Sequence, residues 1–274
     1  MPDHFHGKVA IVTGGASGIG QALCEALCRR GAHVIVADID VARAQQLASA
    51  LSAGGGRASA SGGQARAAHL DVTNLERVQG LVSSTASEFG RLDFMFNNAA
   101  ATATRGELRG LPVEPWHRAI DVNLLGVVYG TIAAYALMID QGYGHIVNIG
   151  SLAGLVGFPT SIPYSATKSA VVNLSVSLRM EAADLGVKVT VACPGPVHDE
   201  ERPDARLIGV DRAAERILKG VERNGAMIVF PLRARLVWWL YRLSPGLLFP
   251  FGRKLVRGFR SKRIGCPEAS IGQE

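Results

Sequence analysis

A tyrosine and a lysine stand four residues apart in Tyr164-Ser165-Ala166-Thr167-Lys168, a spacing that puts both on one face of a helix. Such a pair suits proton exchange with a substrate oxygen. A free phenol has a pKa of about 10, too high to act as a base near neutrality. A neighbouring ammonium favours the phenolate, and each tenfold gain in its ionisation constant corresponds to about 1.4 kcal/mol. Ser151 closes the run Asn148-Ile149-Gly150-Ser151, where its hydroxyl could hold the same oxygen and stabilise charge developing on it. Each residue taken singly also has a plain reading: a core Tyr, a surface Lys, a strand-end Ser.

Near the N-terminus, Thr13-Gly14-Gly15-Ala16-Ser17-Gly18-Ile19-Gly20 follows an apolar run and opens a helical one. Glycines there let the backbone turn sharply against a pyrophosphate, and the helix N-terminus offers free N–H groups and partial positive charge. A Gly cluster alone also fits any tight strand–helix turn. Asp38 comes about 20 residues later, at the end of the next apolar run; its carboxylate can accept from both ribose hydroxyls and would repel a 2′-phosphate. Ser17 leaves the loop without a basic residue. The pattern predicts NAD rather than NADP, against the alternative that Asp38 only caps a turn.

The elements that must position these groups alternate in type. Short β-rich runs occur at Val9–Val12, His33–Ala37, Leu92–Phe96, His145–Ile149, Lys188–Ala192 and Ala226–Phe230. Helical spacing fills Gly20–Arg30, Val41–Leu51, Leu75–Phe89, Pro115–Ile139, Tyr164–Leu185 and Arg212–Glu222. Repeated strand–helix–strand units predict an α/β chain with parallel strands and helices on both faces. Gly54–Gly63 reads as a loop before a third strand ending near Asp71. Val122–Ile139 is uncharged throughout, but it contains Asn123, Gly126, Gly130 and Thr131 and sits among alternating elements. It is expected to be a core or interface helix rather than a membrane span.

The glycine spacing, Gly14-x-x-x-Gly18-x-Gly20, differs from the G-x-G-x-x-G dinucleotide fingerprint. It resembles the short-chain dehydrogenase/reductase family, and further motifs follow in family order over roughly residues 7–231. Asp71-Val72 resembles the pair that contacts the adenine. Asn97-Asn98-Ala99-Ala100 is similar to the family's N-N-A-G, with Ala100 in place of Gly. Pro194-Gly195-Pro196-Val197 resembles the turn that holds the nicotinamide amide. The resemblance implies a Rossmann-type doubly wound, mostly seven-stranded parallel sheet, and a catalytic tetrad of Asn123, Ser151, Tyr164 and Lys168. Asn123 would sit at a helix kink and extend a proton relay through a main-chain group and a water, and Lys168 would also bond the nicotinamide ribose. It implies cofactor contacts from Gly14, Ser17, Gly18, Ile19, Gly20, Asp38, Ile39, Asp71, Val72, Asn98, Ala99, Tyr164, Lys168, Pro194, Gly195 and Val197. The family commonly has Thr where this chain has Asp199, which either accepts from the carboxamide NH₂ or belongs to a solvated acidic loop.

The implied activity is NAD-dependent interconversion of a secondary alcohol and a ketone. The short Val197–Asp211 segment and the small, largely apolar Ala101–Arg105, Leu152–Phe158 and Ile162 favour a hydrophobic substrate. The rival is a catalytically silent dinucleotide-binding regulatory or scaffold protein of the same fold. A homodimer or homotetramer built on the helices of Asn123–Ile139 and Tyr164–Leu185 is implied as well.

Composition bounds these readings. The 274 residues are 48% hydrophobic and 19% charged, enough apolar mass for a sizeable core and inconsistent with a disordered chain. The net charge of +6 is unevenly placed: residues 1–230 hold 20 basic and 21 acidic groups, residues 231–274 nine basic and two acidic. The chain is thus expected to divide into an NAD-binding catalytic domain over 1–231 and a basic, aromatic-rich extension over 232–274. That extension mixes Trp238, Trp239 and Tyr241 with Arg233, Arg235 and Arg242, then continues as a basic run to Arg263. Three readings stand for it: a peripheral membrane-surface contact, a lid or subunit contact, and, lacking any supporting motif, a nucleic-acid contact; none of the rest points to nucleic acid. Four cysteines make no disulfide framework, and Cys24 and Cys28 read as small apolar fillers rather than metal ligands. Met1–His6 lacks a basic region followed by an apolar core, so a cytoplasmic location is expected, with the inner membrane surface as the alternative site for the extension.

Overall fold

The computed structural model describes residues 3–53, 62–101, 104–198, 204 and 207–264. Asp199 and most of the Gly54–Gly63 loop lie outside them. The chain runs β1 (Val9–Thr13), α1 (Gly18–Arg29), β2 (His33–Asp38), α2 (Val41–Ala53), β3 (Gln64–His69), α3 (Leu75–Phe89), β4 (Phe94–Asn97) and α4 (Glu114–Ile120). It continues through α5 (Gly126–Gln141), β5 (Gly144–Ile149), α6 (Ile162–Glu181), β6 (Val187–Pro194), β7 (Val197–His198) and β8 (Ile208–Gly209). The last elements are α7 (Val210–Glu222), β9 (Met227–Phe230), α8 (Leu232–Leu243) and α9 (Phe249–Ile264).

Seven strands form one parallel sheet in the order β3-β2-β1-β4-β5-β6-β9. Chain order reverses between β1 and β4, so the crevice at their carboxyl ends is the topological switch point where α/β sheets bind ligands. Strand alternation produces two cores. Ala10, Val12, Val34, Val36, Phe94 and Phe96 meet α1, α2 and α7 on one face. Val9, Ile11, Ile35, Met95, Ile146 and Val189 meet α3 and α5 on the other. Because both faces are covered, β1 is buried at every position, which is why its sequence is continuously apolar. Cys24 and Cys28 are fully buried within the first core.

The expected single helix over Pro115–Ile139 is continuous but not uniform. Asp121–Leu125 forms a π-helical turn between α4 and α5. The whole stretch, Glu114–Gln141, is long and apolar enough to cross a bilayer by length and composition. It instead packs as a layer element against β4, β5 and α3.

His145, on the interior strand β5, is 3% exposed. Thr190 donates to the Gly225 carbonyl at 2.7 Å, so its hydroxyl has only lone pairs for His145 Nε2, 2.8 Å away, and Nε2 carries the proton. Burial, helped by nearby Lys188 and Arg179, pushes this imidazole down to about 3. With a folded pKa below the unfolded one, its stabilisation is complete above about pH 6.5 and is lost as pH falls below that value. Between pH 7 and 5 the protein is expected to lose about 2 kcal/mol of unfolding free energy at this residue. His145→Gln should lose correspondingly less in urea titrations at the two pH values; equal losses would contradict the assignment.

Candidate active site

The glycine loop turns from β1 into α1 with Gly14 and Gly18 at φ of +60° and +52°, left-handed values that favour glycine. A Cβ at Gly14 would stand 2.8 Å from the Ala99 Cα, and one at Gly20 would run into the Gly14 carbonyl, whereas Gly18 faces open space. The loop is therefore pressed onto the end of β4 and open outward at the N-terminus of α1. Ser17 is the N-cap residue, exposed and with no side-chain capping bond, and Ile19 leans on the first core.

Two side chains clamp this loop. The Thr13 hydroxyl accepts from the N–H groups of Asn98 and Ala99 at 3.0 and 3.1 Å, joining the ends of β1 and β4. The Asn98 amide donates back to the Thr13 and Gly14 carbonyls at 2.9 and 3.0 Å. The Asn98 side chain thus holds the loop rather than pointing into the crevice. In the sequence Thr13 is no more than the start of the motif; its clamp becomes visible only once β1 and β4 are neighbours.

Asp38 ends β2 beside the loop. Its Oδ2 accepts from the Ala16 N–H at 2.9 Å and its Oδ1 from the Asp40 N–H at 3.0 Å. The carboxylate is thereby fixed against the loop, and Ile39 next to it is 65% exposed. Asp71 lies beyond β3, its Oδ1 accepting from the Thr73 N–H and hydroxyl, and Val72 is buried against Gly126. Pro194 is buried at the end of β6, the Gly195 N–H donates to the Phe230 carbonyl at 2.7 Å, and Val197 packs on the first core. The cradle, the helix terminus and the adjoining carboxylate fit a dinucleotide.

Across the same carboxyl edge, α6 brings Lys168 under Tyr164. The Lys168 Nζ lies 5.8 Å from the Tyr164 ring centroid and donates to the Ile149 carbonyl at 2.7 Å. Burial pushes this ammonium down to about 8, with Cys193 opposing, so it remains charged at neutrality. Ser151 follows β5 and caps a short 3₁₀ turn, its Oγ accepting from the Ala153 N–H at 3.1 Å. That turn sits hard on α6: a Cβ on Gly154 would stand 2.5 Å from the Lys168 carbonyl oxygen. The close approach sets the Ser151 loop against the Lys168 turn of α6.

Asn123 occupies the π-helical turn, is 1% exposed, and accepts from the Ala101 N–H at 2.7 Å. A widened turn leaves backbone groups outside the ordinary helical ladder, the local irregularity a kink residue needs. Asn123 and Tyr164 line one narrow cavity with Ala101, Thr104, Pro163 and Arg118. Asn97 and Asn148 stand in the motifs quoted above, but those motifs do not announce the buried network they form: Asn97 donates to Thr131 and Asn148, and Asn148 donates to Ser175. These residues are distant in sequence, so only the sheet's strand order reveals them.

The family model for short chain dehydrogenases matches residues 8–206 of this chain. A 2-(S)-hydroxypropyl-CoM dehydrogenase of Xanthobacter autotrophicus is 35% identical over 215 residues, 78% of this chain and 81% of that protein. A 3-oxoacyl-[acyl-carrier-protein] reductase of Synechocystis is 38% identical over 188 residues, 69% of this chain and 73% of that one. Among solved structures, apo LigD of Sphingobium superposes with a TM-score of 0.77 at 28% identity, covering 88% of this chain and 96% of its own.

Proposed function

The chain belongs to the short-chain dehydrogenase family of oxidoreductases, and from that premise we propose that it interconverts a secondary alcohol and a ketone with NAD. The observation that carries this reading is the buried Lys168 ammonium under Tyr164, beside a cavity that Tyr164 shares with Asn123. Bound NAD supplies the acceptor or donor of a hydride; the rest is done by side chains. Tyr164 takes the alcohol proton, or returns it to the carbonyl oxygen. Lys168 favours the phenolate through its charge. The Ser151 hydroxyl orients the reacting oxygen and stabilises its charge, and Asn123 holds the π-helical turn beside the Lys. Asp38 selects the cofactor by carrying negative charge where a 2′-phosphate would sit.

Four of the cavity's wall residues, Ala101, Pro115, Ala119 and Pro163, are small and apolar and support a hydrophobic substrate, while Thr104 and Arg118 add a polar side. A homo-oligomer is supported by α5 and α6, which leave Ile132, Ile139, Val176 and Met180 exposed. In the same region the Tyr135 hydroxyl is buried with no hydrogen-bond partner among the described residues. A cytoplasmic location is consistent with three free buried thiols, Cys24, Cys28 and Cys193.

The test is a panel of hydrophobic secondary alcohols with purified protein and NAD, read at the NADH absorbance band. Turnover of at least one is expected. Tight NAD binding with no turnover of any, in either direction, would favour the silent scaffold instead.

A further inference from the structure

Helix α8 is apolar on two sides. Ala234, Val237, Trp238 and Tyr241 turn toward the body, and Ala234 closes on Gly195 at the end of β6. Leu232, Leu236, Trp239, Leu240 and Leu243 recur at helical spacing on the outside and are 45–74% exposed. Leu247, Phe249 and Phe251, each more than half exposed, extend this surface into α9. A contiguous apolar face of this kind marks an interaction site rather than ordinary surface.

The charge around that face identifies the partner. Residues 232–264 include nine Lys/Arg and no Asp or Glu. Arg242 stacks near Trp238 and Trp239, at 5.3 and 5.7 Å from their rings, while Arg253, Lys254 and Arg257 are exposed on α9. A second copy seated by two-fold symmetry would set this cationic face against itself, which is repulsive. An anionic bilayer satisfies both components: aromatic and aliphatic groups enter the headgroup boundary, and the cations meet lipid phosphates. We propose that α8 and α9 form a docking surface for an anionic lipid bilayer.

The surface adjoins the mouth of the candidate site. Arg260 on α9 pairs with Glu107 in the loop after β4 at 2.6 Å, and Gly252 lies against Pro159 in the loop after β5. These loops also carry Ala101 and Ser151. Docking therefore sets the cavity opening near the lipid headgroups.

Full-length protein is incubated with vesicles of phosphatidylcholine, or of phosphatidylcholine with phosphatidylglycerol, and sedimented. Binding to the mixed vesicles at least about tenfold stronger than to the neutral ones, and weakened by added salt, is expected. Arg253→Glu with Arg257→Glu should weaken it on the order of a hundredfold, and Leu236→Ser with Trp239→Ser should abolish it. Circular dichroism and NAD binding of each variant establish that it is folded; if either pair unfolds, the single changes Arg257→Glu and Leu236→Ser replace it. The proposal is overturned by absence of binding, by binding indifferent to folded variants, or by an oligomer that Leu236→Ser and Trp239→Ser dissociate without any vesicle binding. Sedimentation needs no turnover, so its outcome is independent of the alcohol screen.

Discussion

Tyr164→Phe is expected to lower kcat by about a thousandfold or more while NAD binding is unchanged. The substitution removes only the hydroxyl, so the ring above Lys168 and the packing of α6 remain. What is lost is the group proposed to exchange the proton, a loss that should appear in kcat rather than in cofactor affinity. Lys168 is already held by the Ile149 carbonyl at 2.7 Å, so the missing phenol leaves its position intact. Stopped turnover with an unaltered NAD titration supports the role given to Tyr164; undiminished turnover removes it.

The second large effect concerns the cofactor. The native protein is expected to favour NAD over NADP in kcat/KM by at least about a hundredfold, the consequence of a carboxylate facing a phosphate. Asp38→Asn keeps the shape and an oxygen able to accept from the Ala16 N–H, so the loop stays anchored. It removes the charge, and the NAD-to-NADP ratio should fall by about two orders of magnitude, equivalent to about 3 kcal/mol. A native preference for NADP, or an unchanged ratio in the variant, would contradict the role of Asp38.

Much of the fold was legible because parallel strands covered on both faces must be apolar at successive positions. Val9–Val12 shows that pattern without help from the rest of the chain, and His145–Ile149 nearly does, broken only by His145 and Asn148. The third strand was harder: β3, Gln64–His69, lies at the sheet edge, is nowhere fully buried, and carries Gln, Arg and His. It ends two residues before the expected Asp71. Likewise Pro115–Ile139 reads as one helical run, since side-chain periodicity barely registers a single π turn. The backbone of Asp121–Leu125 in the folded chain makes that turn visible.

The candidate site divides along the same line. Local motifs carry what depends on neighbours in sequence: the glycine loop, the four-residue step from Tyr164 to Lys168, the carboxylate at the end of β2. Bonds between distant segments carry no such mark. The Thr13 clamp on Asn98 and Ala99, the hold of Ala16 on Asp38, and the buried Asn97–Asn148–Ser175 network arise because strand order places their segments side by side.

The order of residues in the sequence was enough to establish that this chain builds a two-faced α/β core and that its positive charge is concentrated after residue 230, since both follow from which residues occur and where. Which apolar side chains of that extension are covered is a matter of packing. Leu236 and Trp239 are as hydrophobic as Val237 and Trp238, and nothing local distinguishes the pairs. Only the docking of α8 against Gly195, with its rotation about the helix axis, turns one pair inward and leaves the other facing out.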